Sequence, residues 1–251
     1  MANEFWLSDA QWLAIEPHLP KNQPGARRVD DRRVLSGIIH VQMSGCRGRD
    51  CPPVYGPYTT IYNRWNRWSR RKLWQRLFEA LRQLAPDDDF HAIDSTTAKA
   101  HRSAAGEKGG PEAQAIGRSR GGRTTKIHAV CDPLGRPIAL EVSKGQLGDI
   151  RAALPLLGPL PPARLCAADT AYDANGLRQF LAERGTTPVI PNNPTRRRVH
   201  PFDRQAYKRR NLVERMFYRL KDWRRIATRY DKLARNFRSA VALAALVLWW
   251  A

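Results

Sequence analysis

The stretch from Tyr207 to Lys221, YKRRNLVERMFYRLK, constrains this chain more than any other. Wound as an α-helix at 100° per residue, it gathers Tyr207, Arg210, Glu214, Tyr218 and Lys221 into an arc of roughly 80°. Val213, Met216, Phe217 and Leu220 form an apolar stripe beside that arc, so the helix must lay one flank on a core. A lone acid is thereby placed among Arg210, Lys221 and two tyrosines at the rim of a buried helix. Two readings are open at this point. Glu214 pairs with Arg210 at i−4 on a solvated face, or it is a carboxylate that meets a cation and a phosphate.

Charge narrows the choice. The 251 residues carry 43 basic and 23 acidic side chains, and residues 191–251 alone hold 16 basic against 4 acidic. So uneven a basic surplus points to a polyanion, with double-stranded DNA the leading partner. No membrane partner is expected, because the apolar run Ala240–Ala251 is too short to span a bilayer and reads as a buried closing helix. Cys46, Cys51, Cys131 and Cys166 have no metal-ligand spacing and read as free thiols of a reducing cytoplasm. No secretory signal opens the chain.

The N-terminal third reads as helical. Ser8 with Gln11 three residues on forms a capping box, and a second helix runs from about Asp31 to Met43. After a loop broken by glycines and prolines, a third begins near Tyr58 and is expected to break near Ser69. Helix, loop and a helix rich in Arg, Asn and Trp resembles a helix-turn-helix unit, with Asn63, Arg64, Asn66 and Arg67 placed to read a major groove. The alternative is a helical bundle with a solvated basic face. The punctuated stretch Ala85-Pro86-Asp87-Asp88-Asp89 sets the expected boundary between residues 1–86 and 87–251.

Beyond it, FHAIDST reads as a strand with Asp94 near its end. Residues 101–123 are too rich in Gly, Ser and Arg to pack, and read as a flexible basic loop containing Arg120 and Arg123. Two strands follow, joined by a type I turn at Asp132-Pro133-Leu134-Gly135. Then come a helix from Asp149, the strand ARLCAADTAYD with Asp169, a helix from Ala174 to Arg184, the strand TTPVIPNN and the helix that opened this reading. A mixed five-stranded sheet flanked by helices would set Asp94 and Asp169 at strand ends and Glu214 on the last helix. Three carboxylates on separate elements are what two divalent cations about 4 Å apart need for phosphodiester chemistry, and hard oxygen ligands suit Mg²⁺. Asp173 and the Asp87–Asp89 run are rivals. Asp94 and Asp169 are preferred because each follows an apolar run, where a bare charge is costly.

With those residues placed, the chain resembles bacterial insertion-sequence transposases of the DDE class, in the insertion-sequence-five family of the insertion-sequence-four superfamily. Tyr207-x2-Arg210-x3-Glu214-x6-Lys221 fits that superfamily's Y-R-E-K signature at every spacing, and IDST and ADTAYD stand where its first two acids belong. GPYTTIYNRWNRWS and GRSRGGRTTKIHAV extend the likeness over essentially the whole chain. The resemblance implies an RNase H-like catalytic domain behind a helical end-binding domain. Asp94, Asp169 and Glu214 would hold two Mg²⁺ ions, for which Mn²⁺ substitutes. Tyr207, Arg210 and Lys221 would grip DNA phosphates, with Arg120 and Arg123 further DNA contacts. It further implies a homodimer joining transposon ends to target DNA, in a bacterial cytoplasm and at the nucleoid. One departure is that Ala168 and Thr170 flank the second acid where Gly and Lys are usual. The 45 residues from Asp169 to Glu214 leave no room for a β-rich insertion. A catalytically silent DNA-binding protein and a nuclease without strand transfer are the competing functions.

Overall fold

A computed structural model describes residues 4–21, 30–83, 89–104, 106, 113–119 and 121–249. The N-terminal helices are closed by the caps their sequence supplies. Helix α1 (Asp9–Ile15) starts on the capping box: Gln11 N donates to Ser8 Oγ at 3.2 Å and Ser8 N to Gln11 Oε1 at 3.0 Å. Helix α2 (Asp31–Ser44) starts on Asp30 and stops at Gly45, whose φ of +72° is the left-handed conformation that glycine adopts without strain. Within α2, a Cβ at Gly37 would stand 2.7 Å from that of Tyr55, so only glycine lets these segments meet. Helices α3 (Tyr58–Arg70) and α4 (Leu73–Arg82) part at Lys72, three residues beyond the expected break. Trp65, Trp68 and Trp74 seal the corner, with ring centroids 5.4 and 5.5 Å apart.

The C-terminal half is built on a mixed sheet. Strand β1 (Phe90–Ala100) is its spine, followed by β2 (Gly117–Ser119), β3 (Gly122–Cys131), β4 (Pro137–Lys144), β5 (Leu165–Ala167) and β6 (Thr187–Val189). Strand β3 pairs antiparallel with β1, while β5 lies parallel to β1 and β6 parallel to β5. The five principal strands run in the order β4-β3-β1-β5-β6. Two short additions make seven: β2 on the edge of β3, and β7 (Thr228–Arg229) beside the far end of β1. The expected hairpin is present, with Gly135 N donating to Asp132 O at 2.9 Å.

Side-chain alternation splits the core. Ile93, Val130 and Cys166 face one side of the sheet, covered by α5 (Ile150–Leu157) and α6 (Asn175–Glu183). Ala92, Ala129 and Ala167 face the other, covered by α8 (Asn211–Lys221) and α10 (Ala234–Leu248). The second cluster continues without a break into α1–α4, because the almost wholly buried α10 packs on α4 as well as on β4. The expected boundary at residue 86 lies outside the described residues.

Three expectations are corrected. Strand β1 runs six residues past Asp94, because Thr96, Thr97 and Ala98 continue the ladder onto β3; Asp94 is mid-strand. The helix from Tyr207 is not continuous. Helix α7 (Arg204–Tyr207) leads into a 3₁₀ turn at Lys208–Arg210 before α8, which tightens the winding ahead of Glu214. The described residues of the basic stretch 101–123 are not a structureless loop: they include a 3₁₀ turn at Arg102–Ala104 and β2 paired to β3. Helix α9 (Arg224–Ala227) follows α8. All four cysteines are free thiols, and no helix among the described residues is long and apolar enough to cross a membrane.

Two imidazoles tie this core to pH. Burial holds His91 and His128 down at about 4, against an ordinary 6.5. Between those values the unfolded chain takes up protons that the folded imidazoles refuse. Their contribution is therefore whole above pH 6.5 and drains away as pH falls toward 4, by about 3 kcal/mol for each. Urea unfolding at pH 7 and pH 4.5 should show this loss, and His91→Asn should cut it by roughly half.

Candidate active site

Register brings the first two acids together. Ala92 is level with Ala167 in the parallel β1–β5 pair, so two residues on Asp94 is level with Asp169 and on the same face. Beyond Ala167 the chain stays extended through Asp169 (φ −81°, ψ −179°) and enters a 3₁₀ turn at Thr170–Tyr172. Asp169 caps that turn, accepting from Ala171 N at 2.9 Å. Helix α8 lies over this face, seated by Val213, Met216, Phe217 and Leu220, which leaves Glu214 at the rim.

Arg210 joins the pieces. Its Nη1 donates to Asp94 Oδ2 at 2.6 Å and its Nη2 to Glu214 Oε1 at 2.5 Å. The Asp94 and Arg210 side chains are only 18% and 16% exposed, whereas Glu214 is 46% exposed. Burial pushes the Asp94 carboxyl above its usual range; Arg210 and the Ser95 N–H oppose that, and the charge of Asp169 adds to it. Tyr207 packs its ring on Phe202 and lies 5.7 Å from the Arg210 guanidinium. Burial lowers the Lys221 ammonium.

The donor set fits a hard divalent cation, being carboxylate oxygen throughout, with one acid whose buried charge is under-compensated. Yet among the described residues no three such side chains stand close enough to hold one ion. The Arg210 guanidinium lies between Asp94 and Glu214. A cation shared by those acids requires Arg210 to release one of them.

A network behind Asp94 is one that sequence reasoning missed. Ser95, on the opposite face of β1, donates to Asp149 Oδ1 at 2.6 Å, and Lys126 Nζ donates to the same oxygen at 2.9 Å. His128 Nδ1 stands 3.7 Å from it. In sequence Asp149 looks like an ordinary helix cap; only the Ser95↔His128 pairing shows what it faces. Asp173, the rival of Asp169, is occupied: Arg178 and Arg196 hold its oxygens at 2.8 and 2.7 Å. Burial works against its charge, but these partners and Asn193 N–H hold its carboxyl at about 2.

The expected reading helix is α3, and it divides. Asn63 and Arg67 are exposed. Arg64 is corrected: it is buried, salt-bridged to Asp31 and stacked over Trp68 at 5.1 Å, and that inward partner removes it from a groove-reading face. Asn66 accepts from Asn236 at 3.0 Å and is half-buried. Arg123 is exposed at the start of β3, opposite Arg118, and Arg120 lies outside the described residues.

A mixed sheet with helices on both faces, β3 antiparallel and β5 and β6 parallel to its central strand, is RNase H-like in fold. Residues 85–250 match the family described as "Transposase DDE domain", and the chain belongs to that family. Residues 7–78 match a second family, described as "Putative transposase of IS4/5 family". A Brucella ovis protein named "Putative transposase for insertion sequence element IS6501" is 41% identical over 127 residues, covering 50% of this chain and 98% of the relative. A Burkholderia cepacia protein named for insertion sequence element IS402 is 30% identical over 137 residues, covering 50% and 63%. Among solved structures, a piggyBac transposase synaptic complex with hairpin DNA superposes with a TM-score of 0.53 at 11% identity, covering 94% of this chain and 69% of that one. The likeness is one of fold.

Asp149→Asn should destabilise the protein by roughly 2–4 kcal/mol in urea, because it strips the charge partner from the part-buried Lys126. Lys126→Met should recover part of that loss when combined with it. Additive losses would mean that the two side chains do not act as a pair.

Proposed function

We propose that the protein cleaves DNA at the ends of its insertion sequence and joins the freed 3′-hydroxyl to target DNA, with Asp94, Asp169 and Glu214 as its metal ligands. The observation that carries this is the bridge from Asp94 through Arg210 to Glu214, with Asp169 level with Asp94 on the same face. Hydrolysis of a phosphodiester frees a 3′-hydroxyl. That hydroxyl then attacks a target phosphodiester, and the target's own 3′-oxygen leaves. Bound Mg²⁺, for which Mn²⁺ can stand in, supplies Lewis-acid stabilisation and an acidified water.

The remaining work falls to the chain. Asp94 is held rigidly by the central strand, and Asp169 is fixed by its own cap. Glu214, half-exposed, turns once its contact with Arg210 is released. Arg210, released from one acid, offers a planar fork to a scissile phosphate, with Tyr207 beside it and Lys221 two turns beyond Glu214. Residues 1–86 bind the duplex end, Asn63 and Arg67 reaching outward from α3, while Arg123 and the neighbouring Arg120 add phosphate contacts. The basic surplus of residues 191–251 holds the double-stranded DNA track, and two copies pair the ends. The relatives' names and the piggyBac complex with hairpin DNA support this reading. Work on DNA places the protein in the bacterial cytoplasm, at the nucleoid.

Nicking of a duplex carrying the element's end tests it. Asp94→Asn, Asp169→Asn and Glu214→Gln should each bring nicking to background while end binding stays within about threefold; a variant that still nicks loses its residue from the set. Asp173→Asn should instead lower the melting temperature, because two buried guanidinium groups lose their partner.

Arg210→Ala separates its two roles. Clearing the guanidinium from between Asp94 and Glu214 should tighten Mn²⁺ binding, measured calorimetrically, while weakening end DNA binding. Weaker Mn²⁺ binding would mean that Arg210 shapes the acids and does not compete with the ion.

A further inference from the structure

Strand β1 changes neighbours where it carries Asp94. Strand β5 stays with it only as far as Ala92, and β7 joins it at Lys99. Between those residues β1 has a strand partner on its β3 side alone among the described residues. An unpartnered edge must satisfy its backbone groups by other means. Here the Ser95 N–H donates to Asp94 Oδ1 at 2.7 Å, while Arg210 Nη1 donates to Oδ2 at 2.6 Å. The Ser95 side chain goes to the other face of the sheet, where its Oγ donates to Asp149 Oδ1 at 2.6 Å. Asp149 is itself fixed, because Lys126 Nζ donates to it at 2.9 Å and to Leu147 O at 2.8 Å. The Asp149 and Lys126 side chains are only 21% and 14% exposed, so water competes weakly for these bonds.

We propose that Ser95 is a positioning residue for the carboxylate of Asp94, a role that rests on the reading of Asp94 as a metal ligand. Fastened from behind by Asp149, Ser95 fixes the peptide whose N–H holds Oδ1, and so fixes how the carboxylate presents Oδ2. The two bonds on Asp94 differ in what an arriving cation does to them. The Arg210 bond is the one that the ion must displace. The Ser95 bond is on the other oxygen, and it is then the one hydrogen bond left to Asp94 among the described residues. A carboxylate already held in place spares the ion the cost of ordering it. Charge on Asp149 does not call for the hydroxyl, because Lys126 already meets it. The consequence of the Ser95–Asp149 bond therefore falls on Ser95 and, through its N–H, on Asp94.

Calorimetric titration of the full-length protein with Mn²⁺ tests the proposal, read on the binding that Asp94→Asn removes. Ser95→Ala keeps the N–H and the Lys126–Asp149 pair but cuts the anchor. It should weaken that binding about tenfold, the lower end of what outer-shell partners of metal ligands contribute, with end DNA binding intact. Ser95→Thr restores a hydroxyl on a residue that strands favour, and should recover most of the loss. Ser95→Cys, similar in size but a weak donor, replaces the alanine variant if that one does not fold, and should show the same loss. Unchanged Mn²⁺ affinity in Ser95→Ala, even with a lowered melting temperature, overturns the proposal. So does a threonine variant as weak as the alanine one, or a parallel loss of DNA binding, which marks a general loosening of the fold. If Asp94→Asn itself keeps full Mn²⁺ affinity, the ligand reading falls and takes this proposal with it. If Asp94→Asn loses that affinity and Ser95→Ala does not, this proposal alone falls.

Discussion

The guanidinium of Arg210 between Asp94 and Glu214 is the contact on which the carboxylate end of the sheet depends. Asp94 is a charge on the central strand of a sheet, mostly cut off from water, and such a charge is tolerated only with a partner. The partner comes from the far end of the chain, on the turn that leads into α8. Elements 116 residues apart are thereby fastened at the point where chemistry would occur. The same contact sets a competition. Whatever cation enters between those acids must offer more than a guanidinium already in bidentate reach of both. In the protein alone, the Arg210 guanidinium pairs with both carboxylates at once.

Much of this arrangement was legible in the sequence, for identifiable reasons. Asp94 and Asp169 stood out because each ends a run of apolar residues, and that pattern is local. Glu214 stood out because Val213, Met216, Phe217 and Leu220 fix which way its helix faces. The fold class followed from the order of strand and helix patterns. What stayed hidden depends on partners distant in the chain. Arg64 has the composition of a groove reader, but Asp31 turns it inward, and nothing near Arg64 announces that. Asp149 looks like a helix cap until the β1–β3 register sets Ser95 and Lys126 against it. The 3₁₀ winding at Lys208–Arg210 was equally invisible, since no glycine or proline marks it.

The two faces of the sheet divide the labour. On the face toward α8 and α10 lie Asp94, Asp169 and Glu214, open enough at the rim for Glu214 to reach water. On the opposite face Ser95, Lys126, His128 and Asp149 are packed behind them. A strand alternates sides with every residue, so neighbouring Asp94 and Ser95 serve opposite faces by necessity. The stiffness of the acid on one side is supplied by the hydrogen bonds on the other. Asp173 shows the contrast: its two guanidinium partners are buried with it and leave no oxygen to offer a ligand.

Helix α10 belongs to both halves of the chain, packing on α4 and on β4 within one continuous core. A core shared in this way ties the two halves together along α10. Under the proposed function, in which α3 reads DNA and the bond is cut beside β1, the spacing between the bases recognised and the bond broken is built into the protein as into a ruler. The duplex, being the softer body, must bend or untwist to bring the bond to the acids. Sequences that deform easily between those two points would be cut well, and stiff ones poorly, without any side chain touching the bases that make the difference.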